Sequence, residues 1–162
     1  MKVKIKISFL LWLSINLLGH SAVAQNQQQV NWITFNQLND SLALKPKKVF
    51  VNFYADWCTI CKQMEQSAFT DFAVVNELNT NYYAVKMNIE STDTIVFGNQ
   101  TFVNKRQEKL NPIHEIALLM ASRKNKPFSV PAFILLDEQF VAKARYFQYM
   151  DAIAMKRILN DD

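Results

Sequence analysis

Cysteine is scarce in this chain: its 162 residues hold two, Cys58 and Cys61. So low a count excludes a small scaffold stapled by several disulfides. It also removes the ligand set of a zinc site, which wants four ligands. No second C-x-x-C exists, and the only histidine beyond the N-terminal segment is His114. Glycine is equally sparse. Beyond that segment Gly98 alone remains, which marks a turn needing positive φ. There is no methionine-rich or histidine-rich tract, no repeat and no low-complexity stretch that would divide the chain.

The formal net charge of +4 is mostly a property of the first residues. Lys2, Lys4 and Lys6 form a basic start, Ile7 to Leu18 an apolar core, and Ala22-Val23-Ala24 a small-residue cleavage pattern. Residues 1–24 therefore read as a cleavable signal peptide, with a core too short to span a bilayer. No cysteine stands at the cleavage point to carry a lipid. Without the three lysines the charge falls to about +1, and no inference of nucleic-acid binding survives. Residues 25–29 read as a disordered polar tail and 30–162 as one domain, long enough for a proper core.

The two cysteines stand in Tyr54-Ala55-Asp56-Trp57-Cys58-Thr59-Ile60-Cys61-Lys62. An apolar run, Val49 to Tyr54, leads in as a buried strand. Ile60, Met64 and Phe69 follow with helical spacing. Residues three apart share a helix face, so Cys58 and Cys61 can close a small disulfide ring with little backbone movement. Cys58 is expected at the helix N-terminus, where unpaired amides and the positive dipole end stabilise a thiolate. It is the candidate attacking sulfur. Cys61, one turn in and expected to be more buried, resolves the mixed disulfide, and Trp57 shields the pair. A purely structural disulfide is the plain alternative, but a three-residue loop gains little from chain entropy. An exported chain with this single pair suits a protein that handles the disulfides of others.

These residues, with Glu65 and Phe69-Thr70-Asp71 after them and Val130-Pro131-Ala132-Phe133 later, resemble the thioredoxin superfamily. Within it they are similar to the periplasmic C-terminal domain of the transmembrane reductase that passes electrons across bacterial inner membranes. The resemblance covers most of residues 30 to 160, with an unmatched middle. It implies an α/β thioredoxin-like fold: a central mixed sheet flanked by helices, with an inserted hairpin and helix ahead of a cis-proline loop. It implies a periplasmic thiol–disulfide oxidoreductase of the reductase type, with no cofactor beyond the Cys58–Cys61 pair. Its partners would be protein or small disulfides and a membrane or periplasmic electron donor, with no nucleic acid and no membrane span in the mature form. Pro131 would be cis and lie against the disulfide, and Val130 would offer its backbone to an extended substrate peptide. The family often places an acid six residues before the first cysteine to relay protons. Here Asn52 stands there, and an amide accepts no proton at neutral pH. Glu65, one turn past Cys61, could relay through water or simply be a solvated carboxylate. Thr59-Ile60 replaces the Gly-Pro common in the reducing members, which leaves the direction of electron flow to the resemblance alone.

Along the rest of the chain, alternation over Val30–Phe35 reads as a first strand, and Asn36–Leu44 as a helix capped by Thr34 or Asn36. Thr70-Asp71 opens a second helical piece to Leu78, and Tyr82–Ile89 reads as a strand. Thr94–Val103 reads as a hairpin turning at Gly98-Asn99, with Phe97 and Phe102 as core. Asn111-Pro112 is expected to open a helix to Ser122, with His114 in its first turn. Ala132–Leu136 and Phe140–Phe147 read as strands. Met150–Leu159 reads as a closing helix with Ile153, Ala154 and Ile158 inward. Two other functional classes stay open: a redox-inactive binding module, and a copper-handling protein using Cys58, Cys61 and His114.

Overall fold

In a computed structural model, residues 29–161 are described. The expected signal peptide and Gln25–Gln28 lie outside them. Gln29, assigned above to a disordered tail, is tied down: its carbonyl accepts from Asn79 Nδ2 at 2.9 Å.

Thr34 opens α1 (Phe35–Leu44) with a capping box, its hydroxyl accepting from Gln37 N–H while the Gln37 side chain accepts from Thr34 N–H. Both residues are thereby committed to the helix start. The strand expected over Val30–Phe35 is accordingly reduced to one bridge, Ile33 to Val85.

β1 (Lys48–Tyr54) pairs in parallel with β2 (Tyr82–Asn88). A parallel pair needs a crossover, supplied by α2 (Thr59–Gln66), a 3₁₀ turn (Ala68–Thr70) and α3 (Phe72–Asn81). Asp71 caps α3, its carboxylate accepting from Ala73 and Val74 N–H. An antiparallel hairpin, β3 (Ile95–Phe97) and β4 (Gln100–Phe102), turns through Gly98 at φ 56° and Asn99 at φ 60°. Two positive φ values are what a tight hairpin turn requires. α4 (Glu115–Ala121), β5 (Ala132–Leu136), β6 (Ala142–Tyr146) and α5 (Ala152–Asn160) complete the chain. The main sheet runs β2-β1-β5-β6, with β5 antiparallel to both neighbours.

Both faces of the sheet are covered, and side chains divide between them with the period of two that a strand imposes. Val49, Val51 and Phe53, with Ile134, Val85 and Met87, pack beneath α1 and α4. Phe50, Phe133, Leu135 and Ala84 pack beneath α2, α3 and α5. There Phe50 stacks on Phe133 at 5.7 Å between ring centroids and Trp32 meets Phe69 edge-on at 5.1 Å. A fully buried Phe is worth roughly 1.5–3 kcal/mol in transfer free energy, so this aromatic group is a leading contributor on that face.

Three helical expectations shift. Ile60 points to solvent at 46% exposed, and Phe69 belongs to the 3₁₀ turn rather than to α2. In α5, Met155 and Leu159 face the core while Ile153 is exposed. The α4 helix starts at Glu115, three residues after Pro112, because its cap is His114 and not Asn111. The His114 Nδ1 accepts from Ile116 N–H at 3.2 Å, which leaves Nε2 to carry the hydrogen and donate to the Asp93 carbonyl at 3.0 Å. Asn104, also buried, donates to the carbonyls of Ser91 and Pro112. These buried bonds knit the inserted segment to the end of β2.

Candidate active site

The site forms where chain topology brings three loops to one edge of the sheet. β1 and β2 run in parallel, so the turn after Tyr54 and the turn after Asn88 emerge side by side, joined by Ile89 N–H to the Tyr54 carbonyl at 2.9 Å. β5 runs the other way, and its first residue, Ala132, pairs with Phe53. The residues just before it, Val130 and Pro131, therefore arrive at the same end as the C-x-x-C. Their peptide bond is cis, and Val130 packs against the cluster that contains both cysteines.

The local chain around the cysteines is a turn closing into a helix. Cys58 N–H donates to the Ala55 carbonyl at 3.0 Å, and Lys62 N–H donates to the Cys58 carbonyl at 3.1 Å. Cys58 is the N-cap of α2: its sulfur accepts from Cys61 N–H at 3.1 Å. The two sulfurs are bonded, with the Cα atoms 5.2 Å apart. Both residues are 5% exposed, so the expected difference in burial between them does not exist in the disulfide form. The unpaired amide hydrogens of a helix's first turn, Cys61 N–H among them here, favour negative charge at the Cys58 sulfur.

Trp57 stands out into solvent, 63% exposed, with its indole Nε1 donating to Glu90 Oε1 at 2.8 Å. Beside Cys61 a cavity of about 160 Å³ is lined by Tyr54, Asp56, Lys62, Glu65 and Lys86. Glu65 is not a free surface carboxylate: its Oε2 lies 2.8 Å from Lys86 Nζ. The Lys86 ammonium also lies over the Tyr54 ring at 4.8 Å. Burial, then the negative charges of Asp56 and Glu65, raise the Tyr54 hydroxyl above its ordinary pKa. That phenol stays protonated at neutral pH.

Asn52 is buried in β1, opposite Lys86 in the strand register. The site thus joins Cys58, Cys61 and Glu65, with Val130 against the same core and Pro131 buried next to it in the chain, and adds Tyr54, Lys86 and Glu90. Those three were not singled out as site residues from the sequence. Lys86, a cation inside an otherwise apolar strand, was the available signal. His114 is placed elsewhere. It is fully buried and both ring nitrogens are engaged by main chain, so it is not free to join the cysteines as a copper ligand.

Comparison with known proteins bears on the same residues. Residues 35–161 match the thioredoxin-like domain family. The chain belongs to this family. The thioredoxin-like chain is 33% identical over 149 residues to the thiol:disulfide interchange protein DsbD of Escherichia coli, covering 88% of its own length and 22% of that protein. It thus spans about a fifth of the curated relative. Among solved structures it resembles a thioredoxin from Thermus thermophilus (TM-score 0.56, 17% identity, 82% of this chain and 86% of that one). It also resembles the reduced C-terminal domain of Neisseria meningitidis DsbD (TM-score 0.50, 17% identity, 76% and 89%). At such identities the likeness is one of fold. No helix among the described residues is long and apolar enough to cross a membrane.

Proposed function

We propose that this thioredoxin-like chain is an exported thiol–disulfide oxidoreductase that reduces protein disulfides in the periplasm. The observation that carries the reading is Cys58 capping α2, its sulfur 3.1 Å from Cys61 N–H. In the reduced protein the Cys58 thiolate attacks one sulfur of a substrate disulfide and releases the other as a thiol. Cys61, losing its proton, then attacks Cys58 and frees the second substrate thiol. Two electrons pass to the substrate and a Cys58–Cys61 disulfide remains. A membrane or periplasmic donor returns them, and no cofactor is used.

Asn52 cannot take the Cys61 proton. Glu65 is one chemical substitute: like Asp56 it lines the same cavity as Cys61, and a cavity of about 160 Å³ admits water as a proton carrier. Val130 offers its backbone to an extended peptide beside Cys58, with Pro131 against the disulfide and Trp57 as a neighbouring exposed surface. The leader over residues 1–24 supplies export, and the kinship with DsbD supports the reducing direction.

The test is the reduction potential of the Cys58–Cys61 pair, by equilibration of the mature protein against glutathione or dithiothreitol. A value near −270 mV, roughly that of thioredoxin, supports a reductase. A value near −120 mV, about that of a strong oxidant, reverses the direction. No reversible disulfide at all would leave a binding module instead.

A further inference from the structure

The loop that delivers Val130 and Pro131 to the site is anchored by the packing of Phe128 and Val130 on the core and, at Ser129 between them, by one side chain from its far end. Arg123 follows α4, and a tight turn through Asn125, at φ 58°, returns Lys126 N–H to the Arg123 carbonyl at 3.3 Å. From there the Arg123 guanidinium reaches forward along the loop. Its Nη2 donates to Ser129 Oγ at 2.7 Å and to the Pro127 carbonyl at 3.4 Å. Its Cζ lies over the Phe147 ring, 4.1 Å from the centroid, just past the end of β6. Phe147 in turn packs against the core cluster that contains the cysteines. One side chain therefore ties Ser129, the residue before Val130, to the rigid sheet.

Only arginine joins a flat face that stacks on an aromatic ring to a fork of in-plane donors. Lysine carries the same charge without either. The arrangement is also costly: Arg123 Nε is buried and finds no hydrogen-bond partner among the described residues. Apolar packing comes from Phe128 and Val130 alone, since Lys124, Asn125, Lys126 and Pro127 are all exposed. A buried donor left unmade on an exposed loop is not what stability alone selects.

We propose that Arg123 is a positioning residue for substrate peptides: through Ser129 it fixes the height and direction of the Val130 backbone beside Cys58. The proposal rests on Val130 being the peptide-pairing backbone. It makes a split prediction, because a small disulfide needs only the sulfurs whereas a peptide needs the strand beside them. Chemistry at Cys58 and Cys61, and their potential, do not pass through Arg123.

The experiment uses Arg123→Lys, Ser129→Ala and the double variant, each recycled by dithiothreitol while it reduces a disulfide-bonded peptide or hydroxyethyl disulfide, with the rate without protein subtracted. Either single change is expected to raise KM for the peptide about tenfold with kcat retained, the scale of one charge-assisted hydrogen bond. Rates with hydroxyethyl disulfide and the reduction potential should equal those of the unaltered protein. The double variant should be no worse than Arg123→Lys alone, since the bond that Ser129→Ala removes is already lost in Arg123→Lys. Ser129→Ala removes only a hydroxyl from a half-buried loop residue, so loss of the fold does not confound it. An unchanged peptide KM, a loss shared equally by both disulfides, a shifted potential or additive effects in the double variant would each overturn the proposal. If the unaltered protein already shows no preference for the peptide over hydroxyethyl disulfide, the Val130 reading fails first. That result needs no variant.

Discussion

Glu65 and Lys86 meet at 2.8 Å across the gap between α2 and β2, on the wall of the cavity that Cys61 also lines. The side chains are 33% and 24% exposed, so the pair contributes at most about 1 kcal/mol to stability. Its weight is local: it holds a carboxylate beside the sulfur that must lose a proton. Glu65→Gln should slow resolution of the mixed disulfide, by up to about a hundredfold if Glu65 is the relay, while the fold melts nearly as before. Rapid-quench mass spectrometry would follow the decay of a Cys58-linked peptide. Equal decay in both proteins would remove Glu65 from the mechanism.

The proposed mechanism gives the two sulfurs separate roles. Cys61→Ser should accumulate a stable mixed disulfide at Cys58, whereas Cys58→Ser should form none under the same conditions. Non-reducing gels with a disulfide-bonded peptide read this directly. Trapping in the Cys58→Ser protein would exchange the roles.

His114 belongs to stability. His114→Ala removes the α4 cap, the bond to the Asp93 carbonyl and a fully buried ring, a loss of about 3 kcal/mol or more. Urea denaturation should show it, with the reduction potential of the cysteine pair unmoved. Should the potential shift by tens of millivolts, His114 acts on the site after all.

Acid should loosen the inserted segment at Glu115. Its carboxyl is held below the usual range, first by the Lys105 ammonium and then by Val103 N–H. A depressed folded pKa gives stability that is complete above the unfolded value, about 4.3, and is lost as pH falls through the lower folded one. Glu115→Gln should therefore flatten the acid limb of a Tm-against-pH curve and lower Tm little more at pH 3. An unchanged limb would mean that other carboxylates carry it.

Much of this architecture is legible in the residues because the signals are local. Asp71 ahead of Val74 and Val75, and Gly98-Asn99 between short β-prone runs, act within a few residues of themselves. The α4 start was misplaced because Asn111-Pro112 carries the usual start signals, while the true cap is chosen by distant main chain: Ile89 receives His114 N–H and Val103 receives Glu115 N–H. The Val30–Phe35 alternation is real, with Val30 buried against one face and Phe35 against the other. Only Ile33 pairs, because Thr34 is drawn into the capping box. At the site, the C-x-x-C and Val130-Pro131 were visible as words. Lys86 and Glu90 became neighbours of Glu65 and Trp57 only through the parallel register of β1 and β2, which no spacing in the chain reveals.

β6 is the last strand of the main sheet; it carries Lys143, which lies at a break in the register and 3.9 Å from Asp137, and Arg145, whose Nη1 donates to the Met120 and Ser122 carbonyls. An open edge is a template for another chain's edge, and positive charge along it is a common deterrent. Two copies meeting there would set like charge against like. A border charged in this way resists fastening onto a second copy of the same chain.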